Sequence, residues 1–119
     1  MVSLTELARQ YSQESPGSSI QSWMRSRNTL EFLYQWENDI NENFDDRVCE
    51  ELIHQGYTIS LTITLFLWIR KTHAVGMYVK QGKGGGVSVY LEIAADFHLW
   101  LDLKVRLAIV RKHTHFCQS

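Results

Sequence analysis

Trp68-Ile69-Arg70-Lys71-Thr72-His73-Ala74-Val75-Gly76, followed a few residues later by Lys83-Gly84-Gly85-Gly86, is the stretch that decides how this chain folds. Trp68 and Ile69 lie at helical spacing from Leu65, and Thr64 stands where an N-cap belongs, so a short helix is predicted from Leu65 to His73. Beyond it, Val75 to Lys80 and Val87 to Leu91 read as strands. The five residues Gln81 to Gly85 between them make a hairpin turn, whose glycines can take the positive φ that other residues find strained. The result is a basic β-hairpin standing beside a helical core.

Outward from this stretch the signals are mostly helical. Ser3-Leu4-Thr5-Glu6 has the spacing of a capping box, with Leu4, Leu7, Ala8 and Tyr11 on one face behind it. Ser12 to Ser19, with Pro16 and Gly17 among four serines, has loop composition. Ile20 to Arg27 forms a second helical piece, and Asn28-Thr29-Leu30-Glu31 repeats the capping-box spacing before an apolar stripe of Leu30, Leu33, Tyr34 and Ile40. Two helices thus meet across a tight turn in a helix-turn-helix-like pair. Asn41 to Asp46 reads as irregular, Val48 to His54 as helix or strand, and Tyr57 to Ile63 as a strand by its alternation. After the hairpin, Ile93, Phe97, Trp100 and Leu101 mark another helix, and Asp102 caps a last one through about Arg111. The predicted fold class is α+β: a small helical core with the helix-turn-helix-like pair and a glycine-rich hairpin.

A chain of 119 residues has room for one domain and one core. Residues 1–119 are therefore read as a single domain, with its core over about 2–113 and 114–119 as a flexible tail. The net charge of −1 conceals an asymmetry: four arginines against ten acids in residues 1–59 give −6, and eight bases against three acids in residues 60–119 give +5. A basic C-terminal half favours a polyanionic partner, and the acidic half weakens long-range attraction to phosphate. The longest apolar run, Ile59 to Ile69, is too short for a membrane span, and Glu6 and Arg9 interrupt any signal-peptide core. Cys49 and Cys117 have no paired spacing, so a reducing, cytoplasmic setting is expected and no membrane partner.

Candidate sites divide by chemistry. Lys80, Lys83 and the backbone of Gly84 and Gly85 at the hairpin tip suit phosphate or a minor groove; the alternative is a solvated turn. Arg25 and Arg27 around the tight turn suit guanine or phosphate, or else pair with Glu31 or Asp39. Arg70 and Lys71 extend the basic surface. Trp23, Trp36, Trp68 and Trp100 all sit on helical apolar stripes and read as core. Leu65, Phe66 and Leu67 form a protein-interaction patch if exposed, with a homodimer as one outcome, and core if buried. Gly82 to Gly86 is no P-loop, since no Gly-Lys-Ser/Thr follows, and no cofactor is expected. No metal site is expected either, although His113, His115 and Cys117 would share one face of an extended tail. Nothing places a base beside a nucleophile, so the chain reads as a non-enzyme.

Trp23-Met24-Arg25-Ser26-Arg27-Asn28-Thr29-Leu30-Glu31-Phe32-Leu33, with Trp36-Glu37 beyond, resembles the W-x-R-x-x-x-T-x-x-F-L-x-x-W-E signature of KilA-N domains. Thr64 to Gly76 and Gly82 to Trp100 resemble two further stretches of that family, so that the likeness covers about Val2 to His113. The resemblance implies a duplex-DNA-binding module of phages, large DNA viruses and bacterial mobile elements, acting in the host cytoplasm through a wing-like hairpin and a neighbouring helix. The chain departs from the family at Leu65-Phe66-Leu67, at Val87 to Glu92 and at Leu101-Asp102-Leu103, and no second, effector-like domain is expected within these 119 residues. Those departures motivate an alternative: a small phage-encoded inhibitor that uses the same fold to bind a nucleic-acid-dependent host defence complex of the CRISPR or restriction type.

Overall fold

The structure, a computed structural model, describes residues 1–11, 15–58, 65–80, 82 and 84–118, except for the side chains of 56–58 and 115–118. Among them the chain forms β1 (Val2–Ser3), α1 (Leu4–Tyr11), α2 (Pro16–Met24), α3 (Arg27–Ile40), α4 (Asp46–Thr58), α5 (Leu65–Thr72), β2 (Met77–Lys80), β3 (Gly86–Val89), α6 (Leu91–Leu101) and α7 (Leu103–Gln118). The fold is α+β, mostly helical, with one antiparallel sheet in the order β1-β3-β2. No helix among the described residues is long and apolar enough to cross a membrane.

Local signals account for several boundaries. Ser3 Oγ accepts the Glu6 N–H at 3.1 Å, as its capping-box spacing requires. Asp102 Oδ1 accepts the Lys104 N–H at 2.9 Å and the Val105 N–H at 3.3 Å, capping α7. α5 ends where His73 takes φ 59, a left-handed C-terminal cap that histidine tolerates better than most side chains.

Other boundaries differ from the sequence expectation. α2 begins at Pro16, inside the stretch read as a loop, because proline lacks an N–H and pre-sets φ for a first helical turn. The cap of α3 is Ser26 rather than Asn28, with extended backbone and its carbonyl accepting the Leu30 N–H. Val48 to His54 is helical, because Asp45 caps α4 through its side chain, accepting the Val48 N–H at 3.1 Å. That helix continues through Tyr57 and Thr58, where the alternation predicts a strand; the rest of that strand and the Thr64 cap lie outside the described residues. α7 runs on to Gln118, past the Arg111 at which its spacing gives out and through most of the expected tail.

Trp23, Trp68 and Phe97 are wholly buried, and Trp23 meets Phe97 edge-on at 5.3 Å between ring centroids. α6 supplies acceptors for two of the indoles: Trp23 Nε1 donates to Asp96 at 3.1 Å and Trp36 Nε1 to Glu92 at 3.2 Å. The Trp68 indole N–H finds no acceptor among the described residues. Trp100 corrects the expectation that all four tryptophans are core: it stacks on Phe97 but stays 37% exposed, near the end of α6.

Asp96 carries a testable consequence. Burial pushes its carboxyl above the ordinary 3.8, opposed by the Trp23 hydrogen bond and by the positive charge of Arg106. A carboxyl whose folded value is raised binds its proton more tightly when folded, so its contribution to stability falls as pH rises from the unfolded value through the folded one. Asp96→Asn keeps an acceptor for Trp23 and removes that slope. Urea unfolding across a pH series is expected to show the variant at least as stable as the parent at neutral pH. A loss above about 1 kcal/mol there would mean that the carboxylate contributes more than its desolvation costs.

Candidate nucleic-acid interface

The hairpin is rooted by a buried acid. Glu37, in the third turn of α3, has no exposed surface, and its two oxygens face the segment between α5 and β2. Oε1 accepts the Val75 N–H at 3.0 Å and the Asn41 side-chain amide at 3.0 Å, and Oε2 accepts the Gly76 N–H at 2.9 Å. Asn41 donates a second bond from the same nitrogen, at 2.8 Å, to the carbonyl of His73. Two backbone N–H groups that leave a helix before a strand begins would otherwise be orphans; the carboxyl satisfies both. Gly76 must be small here, since it lies against Trp36, Ile93 and Glu37. Trp36, Glu37 and Gly76 therefore hold the hairpin to the helical core.

From this root β2 and β3 pair in the register Met77↔Val89, Tyr78↔Ser88, Val79↔Val87 and Lys80↔Gly86. The two-residue period sends Met77 and Val89 into the core and leaves Tyr78 and Lys80 on the outer face. At the tip Gly82 and Gly84 have φ of 93 and 76, and a Cβ on Gly85 would run into the Lys80 carbonyl. Gly82, Gly84 and Gly85 thus present bare backbone. α1 lies along β3, and Thr5 Oγ1 accepts the Val87 N–H at 2.9 Å.

Between the outer sheet face and α1 lies a groove of about 260 Å³, with Tyr78, Lys80 and Arg9 on its walls and the backbone of Gly84 to Gly86 along one side. Tyr78 is 59% exposed. Arg9 is ion-paired with Glu6 in the same groove, so the net charge of the lining is one positive. An aromatic face, a lysine and a backbone that a ligand can approach closely at its glycines suit a phosphate and a ribose or base better than an apolar ligand.

The predicted contact residues do not all meet there. Lys80, Gly84 and Gly85 form the hairpin side of the groove, whereas the position of Lys83 lies outside the described residues. Arg70 and Lys71 are exposed in the last turn of α5, just before the hairpin root, where they also complement the helix dipole. Arg25 and Arg27 flank the α2–α3 turn at the opposite end of α3; ten residues of helix, about 15 Å, separate Arg27 from Glu37. Arg27 is paired with Glu31 at 3.0 Å. Leu65 is core, Leu67 is half-buried and Phe66 alone of the three is exposed, so the expected apolar patch shrinks to one ring.

Tyr78 and Arg9, which give the groove its aromatic face and its second cation, lie outside the sequence-predicted set. Tyr78 is legible, being two positions from Lys80 in a strand. Arg9 is not, since only the packing of α1 on β3 brings it there. Elsewhere, burial first and the acids Glu50, Asp46 and Glu37 second push the Cys49 thiol up to about 12, which makes it a poor nucleophile. Among the described residues no three His, Cys, Asp or Glu side chains gather as metal ligands; those of His115 and Cys117 lie outside them. In comparisons with known proteins, no family model, no curated protein and no solved structure matches the chain.

Proposed function

We propose that this chain is a short, divergent KilA-N-like domain that binds duplex DNA without catalysing a reaction, through the β2–β3 hairpin as a wing and the end of α5 beside it. The observation that carries the reading is the grouping of Tyr78, Lys80 and Arg9 around the bare backbone of Gly84 to Gly86. The clamp at Glu37 supports it, because a fixed root lets a small hairpin reach a phosphate without losing the entropy of a loose loop. Arg70 and Lys71 extend the interface along the backbone. Arg25 and Arg27, in the helix-turn-helix-like pair at the far end of α3, contact a separate phosphate.

Fluorescence anisotropy with a random-sequence duplex over a salt series tests this. The parent chain is expected to bind weakly and with marked salt dependence. Joint replacement of Arg9 and Lys80 by Ala should lower affinity and flatten the plot of log K against log salt by about 0.9 for each phosphate no longer neutralised. Identical isotherms for parent and variant would remove the hairpin from the interface. The low net charge of the groove favours one second reading, that of a phage-encoded inhibitor in the host cytoplasm which binds a nucleic-acid-dependent defence complex. No duplex binding even at low salt, with stable capture of such a purified complex, would select it.

A further inference from the structure

Among the described residues, α7 is a helix without a cover. From Leu103 to Thr114 every side chain is exposed except Val105, which is half-buried. The helix packs chiefly on α6, and a groove of about 310 Å³ opens between its Ile109 and Val110 and the α2–α3 turn. A 16-residue helix is marginal in water on its own, so its order is expected to come from packing. Leu103, Leu107 and Val110 recur at i, i+4 and i+7 as a seam that is 69%, 47% and 49% exposed. Lys104 and Arg111 border the seam on one side and Arg106 on the other, and residues 103–118 contain no acid.

That arrangement narrows what can cover it. Lys104, Arg106 and Arg111 flank the seam and Lys112 lies opposite it, so the cover this helix calls for is an anionic one. Two copies of α7 laid together would bring like charges side by side. The complement lies on the same molecule. Asn28 lines both the groove beside α7 and a larger one, of about 680 Å³, between α3 and α4. Phe32, Tyr34 and Ile53 give the larger groove apolar walls; Glu31, paired with Arg27, and Glu50, which accepts the Tyr34 hydroxyl, leave its lining one negative charge. A basic apolar helix and an apolar groove of one net negative charge that border the same turn form a self-complementary patch, which is what a twofold interface needs.

We infer that a second copy of this chain covers α7: two chains pair about a twofold axis, each laying its Leu103, Leu107 and Val110 seam into the partner's groove between α3 and α4. Lys104 and Arg111 then face the acids Glu31 and Glu50 across the interface. The surface is separate from the hairpin groove, so a dimer presents two hairpins.

Sedimentation equilibrium over a range of protein concentrations, at low and high salt, tests the inference. The parent chain is expected to show a monomer–dimer equilibrium that salt weakens. Reversing the helix charges (Lys104→Glu with Arg111→Glu), or those of the groove (Glu31→Lys with Glu50→Lys), should weaken dimerisation by about tenfold or more. All four positions are exposed, and circular dichroism checks that each variant is folded. An equimolar mixture of the two reversed proteins should recover the dimer, since each helix then meets a groove of opposite sign. A parent that stays monomeric throughout, dimers indifferent to both reversals, or a mixture that fails to recover would each overturn the inference. So would capture of a monomer by anionic phospholipid vesicles that is abolished by Leu107→Asp, which would make lipid the cover.

Discussion

Glu37→Ala is expected to destabilise the fold by about 3 to 5 kcal/mol, a large part of the roughly 5 to 15 kcal/mol that holds a domain of this size together. The side chain is wholly buried and its two oxygens accept the N–H groups of Val75 and Gly76 and the amide of Asn41. Truncation leaves three donors facing an apolar hole, and each buried unpaired donor costs about 1 to 3 kcal/mol, less whatever water recovers. Glu37→Gln separates the hydrogen bonds from the volume. It keeps one acceptor but turns an NH₂ toward a donor, so an intermediate loss of about 2 kcal/mol is expected. Urea denaturation of the three proteins gives the order directly. Amide exchange at Val75 and Gly76 should speed up in the Ala variant before the core opens, because their acceptor is gone. A variant as stable as the parent would show that the hairpin root does not depend on the clamp.

Gly76→Val should cost about 3 kcal/mol by overpacking. A Cβ there would stand 2.5 Å from Ile93 Cδ1, 2.7 Å from the Trp36 ring and 3.0 Å from Glu37 Oε2. The φ of Gly76 is not in the left-handed region, so the cost is one of space rather than backbone strain. Ile93 can turn aside; the Trp36 ring, hydrogen-bonded to Glu92 and set edge-on to Tyr90 at 5.1 Å, cannot move far. Gly76→Ala is therefore expected to cost less than Gly76→Val but still more than about 1 kcal/mol. Thermal unfolding of both, beside Gly84→Ala as a substitution in open space at the tip, measures the difference. The tip variant suffers only from its positive φ, by about 1 kcal/mol. Equal stability of parent and Gly76→Val would place the hairpin root farther from α3 than the structure has it.

How far the sequence can be read depends on the range of the interactions. The capping serine of α1, the short helix at Leu65, the centres of the two hairpin strands and the Asp102 cap are settled within four or five residues and are legible, although β2 starts only at Met77 and Leu91, expected to end the second strand, opens α6. Pro16 and Asp45 are just as local, but a proline among serines looks like a loop, and an aspartate in a polar run hides its role as a cap. The alternation at Tyr57 misleads because α4 outlasts it to Thr58. Trp36, Glu37 and Gly76 stand out by spacing as members of a pattern, yet spacing alone does not show that an acid will hold two amides 38 and 39 residues away. The groove is half legible for the same reason: Lys80 and the glycines come from one hairpin, and Arg9 comes from the other end of the chain. The extent to which α7 is left uncovered belongs to three dimensions entirely, because the apolar spacing of Leu103, Leu107 and Val110 is what a buried helix would also show.

The most direct test of the hairpin as a DNA-binding wing is the amide spectrum of the isotopically labelled chain during titration with a short duplex at low salt. Shifts are expected at Arg70, Lys71, Tyr78, Lys80, Gly84 and Gly85, saturating together, while the amides of α4 and of the Leu103 to Val110 seam stay in place. A titration in which the hairpin amides do not move, or in which α7 moves in their stead, would contradict the proposed interface.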